Sequence, residues 1–220
     1  MELWIATTNR GKVLEFEMIL EPLLKKGLKL KTLADLETYY PPAENGATFL
    51  DNARIKAKSL KAMKPGTWIA AEDSGLAVEG LNGLPGVHSA RYAGPKATDF
   101  ENRAKLLKIM GLKQLANRKA EFICQMVVFD PEGHEHLFDG KLAGTILKAE
   151  AGKAGFGYDS VFAPQIPPDV ESGSAPVSTG GTPAERPKTL AELGLAFKNK
   201  VSHRARAVEQ LAVLIESRIL

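Results

Sequence analysis

The N-terminus constrains this chain more than any other stretch. Residues 3–7 (Leu-Trp-Ile-Ala-Thr) form a short apolar run of strand length. Thr8-Asn9-Arg10-Gly11-Lys12 breaks it, and then Val13, Phe16, Leu20, Leu23 and Leu24 recur at helical spacing. The chain therefore begins strand, tight polar loop, helix. Pro22 is placed to kink that helix and Gly27 to end it, and residues 28–33 alternate Leu and Lys like a strand with one wet face.

The same mixture continues downstream. Tyr39-Tyr40-Pro41-Pro42 is a loop, and Thr48 with Asp51 predicts a capping box for a helix from about Phe49 to Met63, stopped by Pro65-Gly66. Residues 67–71 read as a buried strand whose C-terminal end delivers Glu72-Asp73-Ser74-Gly75, and a Gly-rich stretch follows to Gly94. Thr98 and Glu101 cap a helix ending near Gly111, and residues 120–129 and 135–142 are β-rich runs joined by the hairpin signal Asp130-Pro131-Glu132-Gly133. Gly152 to Tyr158 is a second Gly-rich loop, and 167–187, poor in apolar residues, reads as an exposed loop insertion. Thr189 with Glu192 caps one more helix. Ser202 caps the last, whose apolar stripe is Val208, Leu211, Ala212, Ile215 and Ile219. With no internal repeat, the expected class is α/β or α+β, with one continuous core over 1–220.

Composition supports a globular protein. Hydrophobic residues make up 44% and charged residues 25% of 220, which excludes bulk disorder and collagen-like repeats. No apolar run approaches the ~18 residues of a bilayer span, and the N-terminus lacks the basic and apolar regions of a secretory signal, so no membrane association is expected. Cys124 is the sole cysteine, which excludes an internal disulfide and favours a cytoplasmic location. The net charge of +3 is too mild to mark a nucleic-acid binder. Residues 186–206 concentrate six Lys/Arg against one acid, read either as a solvated helical face or as a small polyanion site.

Four segments could carry chemistry. Thr7 to Lys12 joins a strand to a helix start, where backbone N–H groups attract anions, Gly11 allows close approach and Lys12 adds charge; the plain alternative is an ordinary strand–helix turn. Glu72 and Asp73, with Glu44 from an earlier loop, offer hard oxygen ligands for Mg²⁺ in the crevice outside a strand end, against the alternative of a plain Asp-Ser-Gly turn. Phe156 and Tyr158 between glycines, followed by Asp159, could enclose a flat base or simply anchor a turn. Lys198, Ser202, His203 and Arg204 could present donors to phosphate or to a carbonyl-bearing base, or His203 could be a capping-turn residue. His88, His134 and His136 show no metal-ligand partners, and His134 and His136, which flank the hairpin, read as surface residues.

Together these segments resemble the inosine/xanthosine triphosphate pyrophosphatases. The similarity runs in order through Ile5-Ala-Thr-Thr-Asn-Arg-Gly-Lys12, Glu44-Asn-Gly-Ala-Thr-Phe-Leu-Asp-Asn-Ala53 with Lys56-Ala57, Ala71-Glu-Asp-Ser-Gly-Leu76, Leu81 to Gly94, Gly155 to Asp159 and Ser202-His-Arg204. It covers nearly the whole chain. Ser160 stands where the family has Pro, and Ala43 where it often has a second acid. The resemblance implies an elongated α/β protein with a mixed sheet and two lobes around a nucleotide cleft, usually homodimeric. It implies that Thr7, Thr8, Asn9, Arg10, Gly11 and Lys12 hold the triphosphate. Asp73 is then the metal ligand or proton acceptor, with Glu72 and Glu44 supporting Mg²⁺. Ser74 touches the substrate, Phe156, Gly157, Tyr158 and Asp159 line the base pocket, and Lys198, His203 and Arg204 complete the base and phosphate contacts. The expected reaction converts ITP, dITP or XTP to the monophosphate and diphosphate. The alternatives are a pyrophosphatase for other modified nucleotides, a non-catalytic nucleotide sensor, or an RNA binder, which the basic stretch disfavours by carrying only Phe197 as an aromatic.

Overall fold

The computed structural model describes residues 1–166 and 186–219. Most of the predicted insertion, 167–185, lies outside these residues, as does the side chain of Ile219. The fold is mixed α/β, with a six-stranded sheet in the order β2-β1-β3-β4-β5-β6. The strands are β1 (Glu2–Ile5), β2 (Lys29–Thr32), β3 (Trp68–Val78), β4 (Lys119–Phe129), β5 (Glu135–Ile146) and β6 (Phe162–Pro164). β1 pairs in parallel with β2 and β3, and every later pairing is antiparallel.

The helices are α1 (Arg10–Ile19), α2 (Glu21–Lys25), α3 (Phe49–Met63), α4 (Asp99–Leu112), α5 (Leu190–Leu193), α6 (Leu195–Val201) and α7 (His203–Ile219). The kink expected at Pro22 is a full break: Leu20 ends α1, and Pro22 lies in the first turn of α2, where its missing N–H costs nothing. The capping boxes at Thr48–Asp51, Thr98–Glu101 and Thr189–Glu192 all form.

Three apolar clusters flank the sheet. One packs Phe16 of α1, Leu20 just after it and Val208, Leu211 and Ile215 of α7 against Trp68, Ala70, Cys124 and Met126. The opposite face carries Ala53, Ala57 and Leu60 of α3 against Ile69, Ala71 and Val127. The third lies at the far end of β3 and β4, where Leu106 and Met110 of α4 meet Leu76, Phe122 and Phe162.

One expectation is corrected. Glu72-Asp73-Ser74 is no strand end or turn; it sits inside β3, which runs unbroken to Val78 because Glu72↔Met126, Asp73↔Gln125 and Ser74↔Cys124 are ladder pairs with β4. What ends is β1. Its pairing with β3 stops at Ile5↔Ala70, and the chain turns away into Thr7–Asn9 while β3 continues. The edge of β3 beyond Ala70 is thereby uncovered, at the C-terminal end of a parallel strand, which is where α/β sheets bind ligands.

Candidate active site

A cavity of about 310 Å³ opens at that edge, within the size range of small-molecule sites. Thr7, Thr8, Asn9 and Lys12 line one wall; Glu44, Lys56, Asp73 and Ser74 another; Phe156, Gly157, Tyr158, Asp159, Lys198, His203 and Arg204 the third. Segments far apart in sequence thus converge as expected. Three predicted residues do not line it: Arg10 is exposed elsewhere, Glu72 lies beneath the wall, and Gly11 sits behind it. A Cβ at Gly11 would sit 2.5 Å from the Phe156 ring.

The loop into α1 is organised by Asn9. Its side chain accepts the Lys12 N–H at 3.1 Å, while its own N–H donates to Thr7 Oγ1 at 3.1 Å. Val13 N–H donates to the Asn9 carbonyl at 3.0 Å, and the positive end of the α1 dipole lies at this loop, a polarity suited to anions.

Strand alternation separates the two adjacent acids. Glu72 shares a face with Cys124 and Met126 toward α1 and α7; Asp73 shares the face of Ile69 and Ala71 toward α3. Glu72 Oε1 is 2.8 Å from Lys12 Nζ and 3.1 Å from Arg204 Nε, with its carboxylate 1% exposed. Burial would raise its pKa, but Arg204, Lys12 and Lys56 overcome that and hold it well below the usual range. Asp73 keeps the opposite balance: burial raises its pKa and Lys56 only partly offsets this. Its Oδ1 accepts from Lys56 Nζ at 2.9 Å and its Oδ2 from Asn52 Nδ2 at 3.3 Å. Lys56 also bridges to Glu44 Oε2 at 3.1 Å.

The third wall is a buried ion network. Lys198 Nζ lies 2.8 Å from Glu15 and 2.6 Å from Asp159, and Arg204 Nη1 2.5 Å from Glu15. Arg204 Nη2 adds Ser74 Oγ at 2.8 Å, so three of its five N–H groups are committed within the protein. His203 is 3% exposed and stacks on Phe122 at 4.8 Å between centroids; burial and the charges of Arg204 and Lys198 keep it neutral. Phe156 has Lys198 Nζ 4.2 Å from its ring centroid. Tyr158 does not mirror Phe156. Its ring belongs to the far apolar cluster, and its hydroxyl donates to the Ser89 carbonyl at 2.9 Å.

Residues 3–214 match the model of the Ham1 family. The chain belongs to the Ham1 family. It is 49% identical over 209 residues to a dITP/XTP pyrophosphatase of Bdellovibrio bacteriovorus, covering 95% of this chain and 94% of that protein. A dITP/XTP pyrophosphatase of Thermus thermophilus is 41% identical over 211 residues, covering 96% and 90%. Among solved structures, a HAM1 protein from Coxiella burnetii superposes with a TM-score of 0.79 at 32% identity, covering 99% of both chains.

In this Ham1 family chain, sequence reasoning missed Glu15 and passed over Lys56 and Asn52 as site residues. Glu15 is fully buried, and Arg204 and Lys198 outweigh the cost of burial to hold its pKa below the usual range. A signal existed: Lys12, Glu15, Phe16 and Ile19 share one helical face, so an acid interrupts the apolar stripe. Asn52 and Lys56 are likewise i, i+4 on α3, set to meet one partner together.

Proposed function

We propose that this Ham1 family chain hydrolyses deaminated purine nucleoside triphosphates such as ITP, dITP and XTP to the monophosphate and diphosphate. The observation that carries the reading is Asp73: a cavity-lining carboxylate with a raised pKa, tethered by Lys56 and Asn52, across from the Thr7–Lys12 loop. Such a group is a stronger base than an ordinary carboxylate and can accept or orient a water's proton.

The donor set suits Mg²⁺. Glu44 and Asp73 present carboxylate oxygens, the ligands hard cations take, and Lys56 holds both in place. Charge supports the same conclusion. In and directly behind the cavity wall, among the described residues, Lys12, Lys56, Arg91, Lys198 and Arg204 face Glu15, Glu44, Glu72, Asp73, Asp99 and Asp159. Five cations against six acids leave a triphosphate's charge unmet. Bound Mg²⁺ supplies the charge neutralisation that phosphoryl transfer needs. Glu72 contributes from below by fixing Lys12 Nζ at the cavity wall, where the ammonium meets phosphate oxygens. Asp73 orients the attacking water, and the start of α1 with Lys12 holds the leaving diphosphate.

Base choice follows from the donors. Hypoxanthine and xanthine carry a carbonyl at the purine 6-position, whereas adenine carries an amino group. The free N–H groups of Arg204, with neutral His203 beside them, pair with the carbonyl and leave the adenine amino group unmatched. The same reading includes a homodimer, as the family resemblance implies, and a reducing cytoplasm, in keeping with a buried free Cys124. The test is diphosphate release from a panel of NTPs and dNTPs with and without Mg²⁺. ITP, dITP and XTP should turn over only with the metal, and ATP slower by about 10²-fold or more. Equal rates for ATP and ITP would remove the base readout, and no release from any triphosphate would remove the activity.

A further inference from the structure

The turn between β4 and β5 reads Asp-Pro-Glu-Gly-His-Glu-His over residues 130–136, a density of metal-ligand side chains that the cleft does not use. The two histidines expected to be unpartnered surface residues both converge on one carboxylate. His134 Nδ1 lies 3.0 Å and His136 Nε2 3.1 Å from Asp130 Oδ2. Glu132 closes the set, its carboxylate oxygen within 4.8 Å of the ligand atoms of Asp130 and His134.

We propose that this hairpin is a second metal site, binding a late first-row divalent ion, Zn²⁺ by preference, through Asp130, Glu132 and His134, with the His136 imidazole beside them on the same Asp130 carboxylate. The two contacts to Asp130 Oδ2 are hydrogen bonds whose lengths lie close to coordination spacing. Ligand bonds of about 2.0–2.1 Å at tetrahedral angles put neighbouring donors about 3.3 Å apart, a few tenths of an ångström from the two nitrogen–oxygen separations seen. Imidazole nitrogen alongside two carboxylates is a donor set for zinc rather than for magnesium, which prefers oxygen and water.

The frame is rigid. Asp130 Oδ1 accepts the His134 backbone N–H at 2.8 Å, Gly133 N–H donates to the Asp130 carbonyl at 2.9 Å, and Asp130 N–H to the His134 carbonyl at 3.1 Å. The Asp130 side chain is fully buried while His134 is 69% exposed, so the anionic ligand is fixed and the entry side is open. Hydrogen bonds from both histidines outweigh burial and keep Asp130 ionised.

Two cations border the turn. Arg218 Nη2 stands 3.8 Å from Asp130 Oδ2, and Lys61 Nζ donates to the Gly133 carbonyl at 3.1 Å. Arg218 is half exposed and can swing into water when a metal takes its place. The site is separate from the cleft. Asp130 lies five residues along β4 from Gln125, the ladder partner of Asp73, or about 16 Å at roughly 3.3 Å per residue.

The test compares the full-length wild type with H134A/H136A, and with H134A alone, after metal stripping. Each is equilibrated with Zn²⁺ against a competing chromophoric chelator, and separately with Co²⁺. The wild type should retain one more equivalent of zinc than either variant, show the visible absorption of four-coordinate cobalt, and gain thermal stability with zinc that the variants do not. All three proteins should hydrolyse nucleotide at the same rate, which keeps the result independent of the activity proposed above. Equal zinc retention with matching cobalt spectra in wild type and H134A would overturn the site.

Discussion

Asp73 and Glu72 differ by one position and by the face of β3 they occupy, and that decides what each can do. Glu72 is pinned between Lys12 and Arg204 and stays ionised, so it acts as a fixed counter-charge. Asp73, whose pKa burial raises, carries a cost whenever it is ionised in the fold. A carboxyl raised in the native state stabilises the protein while protonated and loses that contribution as pH rises through its native pKa. Asp73→Asn should therefore be at least as stable as wild type at neutral pH, with the difference closing in acid, while kcat falls by about 10²-fold or more. Thermal melts at both pH values together with kcat check this; near-normal kcat in a folded variant would remove Asp73 from the chemistry. Glu15 should behave differently. Glu15→Ala leaves Lys198 with Asp159 alone and Arg204 with Glu72 alone, and removing one partner of such buried pairs costs about 3–5 kcal/mol. Urea unfolding measures it, and a loss under about 1 kcal/mol would mean that water from the cavity reaches both cations. Lys12 and Asp73 were legible as candidates from the polar loop and the paired acids they stand in, although their partners Glu72, Lys56 and Asn52 come from elsewhere. The role of Glu15 was not, since Arg204 lies 189 positions away.

Elements were legible where the signal is local. The capping boxes starting at Thr48, Thr98 and Thr189 depend on residues three apart and form as read. A fourth, Thr32 with Asp35, starts a short 3₁₀ turn that the alternating Leu/Lys pattern before it concealed. β3 shows the converse. Asp73-Ser74-Gly75 carries turn chemistry, yet ten consecutive residues of β3 from Ile69 to Val78 have ladder partners on β4, and that pairing overrides the local preference. The cap on α3 links element to site, because α3 carries Asn52 and Lys56 onto Asp73. Thr48→Ala should cost about 0.5–2 kcal/mol by denaturant unfolding. It should also lower kcat/KM, since the first turn of α3 holds Asn52, whose side chain accepts the Gly46 N–H at 2.8 Å. Lost stability at unchanged kcat/KM would show that α3 holds its register without the cap.

At the scale of the whole molecule, the class was legible from the mixture of strands and helices, but the order of the sheet was not. Nothing local in residues 2–5 or 68–78 states that β1 pairs in parallel with β3 and stops at Ala70, and it is this mismatch of length that opens the cavity. The close approach of α7 to β5 was equally hidden. It needs Gly140, where a Cβ would collide with the His203 carbonyl oxygen. The ion network that results is shared by α1, β3, α6 and α7, and behind it, fully buried, lies the thiol of Cys124, 3.7 Å from Glu72 Oε2. Burial and the Glu72 charge push that thiol well above its ordinary range, and only a thiolate reacts. Cys124 is thus a natural stopwatch. A disulfide reagent can label it only when the seam between sheet and helices comes apart, so the labelling rate counts openings of the native protein. Nucleotide, held by the same walls, should slow that clock in proportion to its occupancy, and a rate indifferent to nucleotide would mean that the seam opens without disturbing the cleft.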